Sequence, residues 1–326
     1  MRRPRSTKVL VELQLALAIC FSVVPFAFAQ DAPLRPPRRP SKRMIPAPNV
    51  PTDVLSGPYF GQELPGDTPL IFADGIISGH NLHSSPSFSP RGDELYWSIC
   101  DDGPGQCRVH YSEMLESGRW TAPEVASFSI RAAGDNPVFH PNGRRLFFNS
   151  SRPLHGVAKE RIWYVDREDG GPWSDPLPVD PIINDHALHW QASVDSSGRI
   201  YFGSDRTPNF GSDDIFYSDD VNGHYVEPEN IGQGINTANV ESTPFIDPEG
   251  RLILFSRLVG SSYHSIFLSR RNSDGTWADP LDLSDDCQTE SGVCPQLSPD
   301  GEFLFFLKFN GVDFDIHWLR SSCIPD

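Results

Sequence analysis

The sequence predicts an all-β fold, a five-bladed β-propeller with four short strands in each blade. Three observations predict it. A turn signature recurs five times at near-constant spacing, a β-rich run follows each turn, and a Pro-marked element recurs in step with both. Repeats of this length with four strands each match one propeller blade.

The signature is an apolar residue, then Ser, His or Asp, then a turn ending in Gly. It reads Phe88-SPR-Gly92, Phe139-HPN-Gly143, Val194-DSS-Gly198, Ile246-DPE-Gly250 and Leu297-SPD-Gly301, with the glycines 51, 55, 52 and 51 residues apart. Gly supplies the left-handed position that ends such a turn. The runs ELYWS, RLFFNS, RIYFGS, RLILFS and EFLFFL follow, giving a second strand per blade. RVHYS, RIWYV, DIFYS, SIFLS and DIHWL give the third. The fourth opens on an aromatic residue with Pro three later, at Trp120/Pro123, Trp173/Pro176, Tyr225/Pro228 and Trp277/Pro280. The last repeat lacks it. The series of prolines at 69, 123, 176, 228 and 280 supplies the missing member at the front, in Pro69-LIFADG. An N-terminal strand is therefore expected to complete the last blade and close the ring. Six blades, the alternative, would need a repeat the sequence does not show, and an open array would leave sheet edges unpaired.

Leu297-SPDG-EFLFF resembles the repeat unit of the TolB-type (WD-like) propeller family, in which an aromatic-Ser-Pro-Asp-Gly turn leads into a strand. The resemblance covers nearly the whole exported chain. It implies an exported bacterial propeller that binds a protein partner or a cell-envelope component. The Ser-Pro-Asp-Gly turn is intact only in the last repeat, and the cysteines are not part of the family unit.

The first residues read as targeting. Arg2, Arg3, Arg5 and Lys8 precede an apolar run from Leu15 to Phe28, and Ala27-Phe28-Ala29 fits signal-peptidase cleavage, so residues 1–29 are expected to be a signal peptide. That run is too short to span a bilayer comfortably, and nothing later is long and apolar enough. Residues 30–53 form a Pro/Arg-rich linker and 54–326 the propeller domain. The expected location is periplasmic or extracellular.

The chain carries a net charge of −16, although residues 1–43 hold nine Lys and Arg against two Asp and Glu. The acidic remainder excludes a nucleic-acid partner. With 31 Pro and 26 Gly, an all-helical fold is excluded as well. Export predicts disulfides. Cys100 and Cys107 bracket DDGPGQ and are expected to staple a hairpin. Cys287 and Cys294 are expected to close a second local loop, leaving Cys323 over.

The entries to the five inner strands align on Pro86, Pro137, Ala192, Pro244 and Pro295. The preceding residues, Ser85, Asn136, Gln191, Thr243 and Cys294, should ring the channel with small polar groups. Three positions ahead stand His83, Gly134, His189, Glu241 and Gly292. Side chains two apart share a strand face, so His83, His189 and Glu241 are expected at one level of the mouth. Two imidazoles and a carboxylate are a ligand set for a divalent metal, the one cofactor the sequence suggests. Asp135, Asn136, His189, Trp190, Gln191 and Glu241 with His83 make the expected ligand-binding group. Arg152, Arg206 and Arg257 end second strands and are expected to pair with nearby acids or to bind an anion.

No nucleophile elbow, phosphate-cradling Gly loop or His-Glu-x-x-His is present. The first functional reading is a non-catalytic exported propeller that binds a protein or envelope saccharide at the channel mouth. The alternative is a carbohydrate-active enzyme, a glycoside hydrolase or polysaccharide lyase, with His83, His189, Gln191 and Glu241 at its core.

Overall fold

A computed structural model describes residues 55–78, 84–100, 106–186, 188–260 and 263–325, with the side chains of 188–190 excepted. The signal peptide and the linker expected over 1–53 lie outside the described residues, as does His83. Among the described residues no helix is long and apolar enough to cross a membrane.

Five four-stranded antiparallel sheets form the ring. Strand β1 (Leu70–Ile71) comes first in the chain. Blade 1 is β2 (Ser87–Phe88), β3 (Glu94–Ile99), β4 (Arg108–Glu113) and β5 (Glu124–Val125). Blade 2 is β6 (Asp135–Phe139), β7 (Arg145–Ser150), β8 (Arg161–Asp166) and β9 (Leu177–Pro178). Blade 3 runs β10 (Leu188–Val194), β11 (Ile200–Ser204) and β12 (Asp214–Ser218). A hairpin of β13 (Asp220–Val221) and β14 (His224–Tyr225) intervenes before its outer strand β15 (Glu229–Asn230). The hairpin turns at Asn222 and Gly223, with φ of 59° and 85°, as an Asn-Gly turn requires. Blade 4 is β16 (Glu241–Ile246), β17 (Leu252–Val259), β18 (Tyr263–Arg270) and β19 (Leu281–Asp282). Blade 5 is β20 (Gly292–Leu297), β21 (Phe303–Phe309) and β22 (Phe314–Arg320), completed by β1.

The closure expected from Pro69 is therefore present. Leu70 stands opposite Trp318 and Ile71 opposite His317. Closure extends beyond that strand. Residues 55–78 form an arm that bonds to both neighbouring blades. The Trp120 indole N–H donates to the Gly57 carbonyl at 2.8 Å in blade 1, and the Tyr59 hydroxyl donates to Asp300 at 2.9 Å in blade 5. Phe60 and Phe72 from the arm are fully buried with Trp97, Phe305 and Trp318.

The five signature turns share one device. Ser89, His140, Asp195, Asp247 and Ser298 each accept a backbone N–H from within their own turn. Gly92, Gly143, Gly198, Gly250 and Gly301 all hold φ between 67° and 89°. Middle strands bury both faces, because each blade packs against two neighbours. The core accordingly divides into five apolar seams, one between each pair of adjacent blades.

Cys100 and Cys107 are disulfide-bonded. The second expectation is corrected, since Cys287 pairs with Cys323 and not with Cys294. Cys287 follows β19 and faces the seam between blades 4 and 5, where the C-terminal turn packs, and the two Cα atoms stand 5.1 Å apart. Cys294 instead lies on β20, buried at the inner wall. Sequence proximity had favoured the shorter loop, but strand β20 carries Cys294 inward.

Candidate functional site

Each blade meanders outward, so the loops entering the inner strands and those joining second to third strands share one face. That face is the channel mouth. The signature turns lie on the opposite face.

The inner strands do not run regularly into the channel. Pairing breaks between Asp135 and Val138 in β6, His189 and Ser193 in β10, Ser242 and Phe245 in β16, and Val293 and Gln296 in β20. The bulges contain the residues aligned from the sequence. Asn136, Thr243 and Cys294 hold φ of 49°, 49° and 56°, a left-handed backbone that a bulge accommodates. Ser85, Asn136, Gln191, Thr243 and Cys294 are all at least nine-tenths buried.

Hydrogen bonds join part of this ring from blade to blade. The Ser85 hydroxyl donates to the Cys294 carbonyl. The Cys294 N–H donates to the Ser256 hydroxyl at 3.1 Å, and that hydroxyl contacts Thr243 Oγ1 at 2.6 Å. Blades 4, 5 and 1 are thereby tied. Gln191, at the equivalent position of blade 3, is different. It is 1% exposed, and among the described residues neither its Oε1 nor its Nε2 has a hydrogen-bond partner. A buried unsatisfied amide costs about 1–3 kcal/mol.

Asp135 begins β6 beside blade 1. Its carboxylate accepts from the Asn136 N–H at 2.8 Å, and burial still raises its proton affinity above the usual carboxylate range. Asn149 stands opposite it on β7 and donates its amide to Glu160 at 3.4 Å. Glu160 reaches water from the loop before β8 yet is hemmed in by protein. Desolvation, reinforced by the Asp135 charge, pushes its carboxyl up to about 7. The pair was only half expected, since the sequence singled out Asp135 and missed Glu160. No local pattern in the sequence marks Glu160 as its neighbour.

Glu241 sits elsewhere than the shared level expected of it. It is fully buried, and its oxygens accept from the Thr237 N–H at 2.9 Å, the Thr237 hydroxyl at 2.6 Å and Arg257 Nε at 2.9 Å. The aligned Gly292 is equally enclosed, since a Cβ there would lie 2.9 Å from Phe306 and 3.0 Å from Ile266. This position faces the seam between blades. The bulge explains the difference, because an extra residue breaks the two-residue alternation from which a shared face was inferred. His83 and the side chain of His189 lie outside the described residues, as does that of Trp190. His189 and Trp190 are placed only as backbone on β10. Among the described residues, one His/Cys/Asp/Glu grouping lies at ligand distance. It joins Asp135 to Cys100 and Cys107 within 4.8 Å, but those sulfurs are already bonded to each other.

The three strand-end arginines form a structural repeat. Arg152 donates to the Phe128 carbonyl, Arg206 to those of Ile182 and Ile183, and Arg257 to those of Gly234 and Ile235. Each guanidinium also lies over two aromatic rings, 4.3–5.8 Å from their centroids. They anchor the connection between one blade and the next. Among the described residues, only Arg257 of the three forms an ion pair with an acid, Glu241.

No protein-family model matches this sequence, and no curated protein matches it. Its fold is similar to solved propellers. An endo-arabinase from Bacteroides thetaiotaomicron is 15% identical with a TM-score of 0.51, over 75% of this chain and 95% of that one. TolB from Acinetobacter baumannii is 15% identical with a TM-score of 0.46, over 73% of this chain. The match spans 54% of that TolB chain. A puromycin-hydrolysing peptidase from Mycobacterium tuberculosis is 14% identical with a TM-score of 0.42, over 74% of this chain and 37% of that one. At these identities the likeness is one of fold.

Proposed function

We propose that this protein is an exported, non-catalytic propeller that binds a protein or cell-envelope saccharide at the channel mouth. One observation carries the reading. The Gln191 amide is buried in the polar ring, with its donor and its acceptor both unused among the described residues. A ligand supplying a hydroxyl or amide group would satisfy both, and recognition by buried polar groups is selective because the wrong ligand leaves them unpaired. The two disulfides fit an oxidising compartment.

The test is an array of cell-envelope oligosaccharides and peptides probed with the wild-type chain and with Gln191→Leu. Signals present for the wild type and at least tenfold weaker for the variant support the reading. Equal signals from both chains would refute it.

A second reading has its own observation. Glu160 binds its proton near neutrality beside Asp135, an arrangement that suits general acid catalysis of glycosidic cleavage. Release of reducing ends from envelope polysaccharide or linear arabinan, abolished by Glu160→Gln, would favour this enzyme over the binder.

A further inference from the structure

We propose that the face opposite the mouth carries an oxyanion site, a cleft between the signature turns of blades 3 and 4 that takes a phosphate group. The cleft measures about 580 Å3, and its walls include Asp195, Ser197, Arg199, Glu249, Arg251 and Arg271. It is independent of the mouth and of the function read there.

The turns build it. The Ser196 N–H donates to the Pro248 carbonyl at 2.9 Å and locks the two turns together. Gly250 leaves the space between them open, since a Cβ there would stand 3.1 Å from Asp195 Oδ2. Two of the three guanidiniums are held in place through Nε. Arg199 donates Nε to Asp219 at 2.6 Å and lies 4.5 Å from the Tyr217 ring centroid. Arg271 donates Nε to the Gly275 carbonyl at 3.0 Å and lies 5.9 Å from the Trp277 centroid. Binding through Nε keeps the forked end of each side chain oriented. Arg251 is exposed, and its side chain makes no hydrogen bond or ion pair among the described residues.

Asp195 and Glu249 in the wall, with Asp219 paired to Arg199, offset much of this charge, so the site rests on oriented N–H donors and not on net charge. Asp195 Oδ1 already accepts from the Ser197 N–H and hydroxyl and from the Arg199 N–H, at 2.9, 2.5 and 3.2 Å. Glu249 is exposed to solvent. Behind the wall lies Tyr201, 1% exposed, whose hydroxyl is in hydrogen-bond contact with Arg199. Its charged neighbours are Asp195, Arg199 and Arg271, all three in the wall of the cleft. Burial keeps the phenol protonated.

The corresponding cleft between blades 4 and 5 lacks this character. There Arg320 faces Glu302 at 3.9 Å, Arg270 donates to the Pro325 carbonyl at 2.6 Å, and Asp300 contributes a further negative charge. Three arginines thus line this cleft beside two acids, whereas its neighbour holds two arginines beside two acids. The joint geometry of the three suits a dianion that several forked donors can share.

The experiment titrates inorganic phosphate into the full chain at low ionic strength, by calorimetry. Arg251→Gln/Arg271→Gln is expected to weaken binding at least tenfold. Arg251→Gln alone, which breaks no contact in the protein, is expected to weaken it several-fold. Gln191→Leu should leave it unchanged. Sedimentation with phosphatidylglycerol/phosphatidylcholine vesicles separates the sources. Co-sedimentation lost in the double variant assigns the phosphate to a lipid headgroup, and phosphate binding without co-sedimentation assigns it to a soluble or saccharide phosphate. A wild-type chain that does not bind phosphate, or an Arg251→Gln chain that binds it as tightly as the wild type, overturns the site.

Discussion

Ser85 and Cys294 meet across the point where the ring closes, the Ser85 hydroxyl donating to the Cys294 carbonyl. Blade 1 is thus joined to blade 5 at the channel, while Leu70 and Trp318 join the chain's two ends at the rim. Between these two contacts lies the largest aromatic cluster of the protein, built around Phe72 and Trp318.

Phe72 is the arm's deepest contribution to that cluster, fully buried against Phe60, Phe88, Phe305 and Trp318. Phe72→Ala is expected to destabilise the chain by about 3–5 kcal/mol, the usual cost of emptying a core aromatic site. Chemical denaturation measures it. A loss below about 1 kcal/mol would mean that the arm is an ornament on a ring closed without it.

The Cys287–Cys323 bond spans 36 residues and holds the C-terminal turn on blade 4. Removing it with Cys323→Ser is expected to cost about 3–4 kcal/mol from loop-closure entropy. Peptide mapping of the unreduced chain should recover a fragment linking Cys287 to Cys323. A fragment linking Cys287 to Cys294 would restore the local pairing that the sequence suggested.

Arg257 and Glu241 form an ion pair with side chains 12% and 0% exposed. Glu241→Gln leaves the guanidinium without its counter-charge and is expected to cost about 3–5 kcal/mol, as for other broken buried pairs. Replacing both residues should cost less than the sum of the single changes. Additive losses in that double-mutant cycle would show that the two side chains do not interact.

Glu160 gives the domain a pH signature. Its carboxyl titrates near 7 when folded and near 4.5 when unfolded, so the native chain holds the extra proton between those values. That contribution to stability is full below about 4.5 and is lost as pH rises through 7. Buried His264, pushed down to about 4, acts in the opposite sense at lower pH. The comparison is therefore made by difference. Between pH 5 and 8 the wild type should lose stability relative to Glu160→Gln, and two parallel profiles would place the Glu160 carboxyl at its ordinary value.

The ring was legible because its signals are local. A signature turn needs Gly at one position, an outer strand is announced by Pro, and the gap at the end of the Pro series pointed to Pro69. The polar ring was legible for the same reason, since Asn136, Thr243 and Cys294 each precede a Pro in a bulge. What failed depended on parity or on distant partners. A bulge of one residue turned Glu241 from the channel into a seam, where Arg257 meets it. Cys323 and Glu160 meet partners whose proximity no local pattern records.

Gln191 keeps its amide unpaired inside the ring among the described residues, in readiness for a ligand. The unfolding free energy of ligand-free Gln191→Leu tests it most directly, because Leu fills a similar volume with nothing to satisfy. The variant is expected to be about 1–2 kcal/mol more stable than the wild type. A variant less stable by that amount would contradict it, showing that the folded chain already supplies the amide with partners.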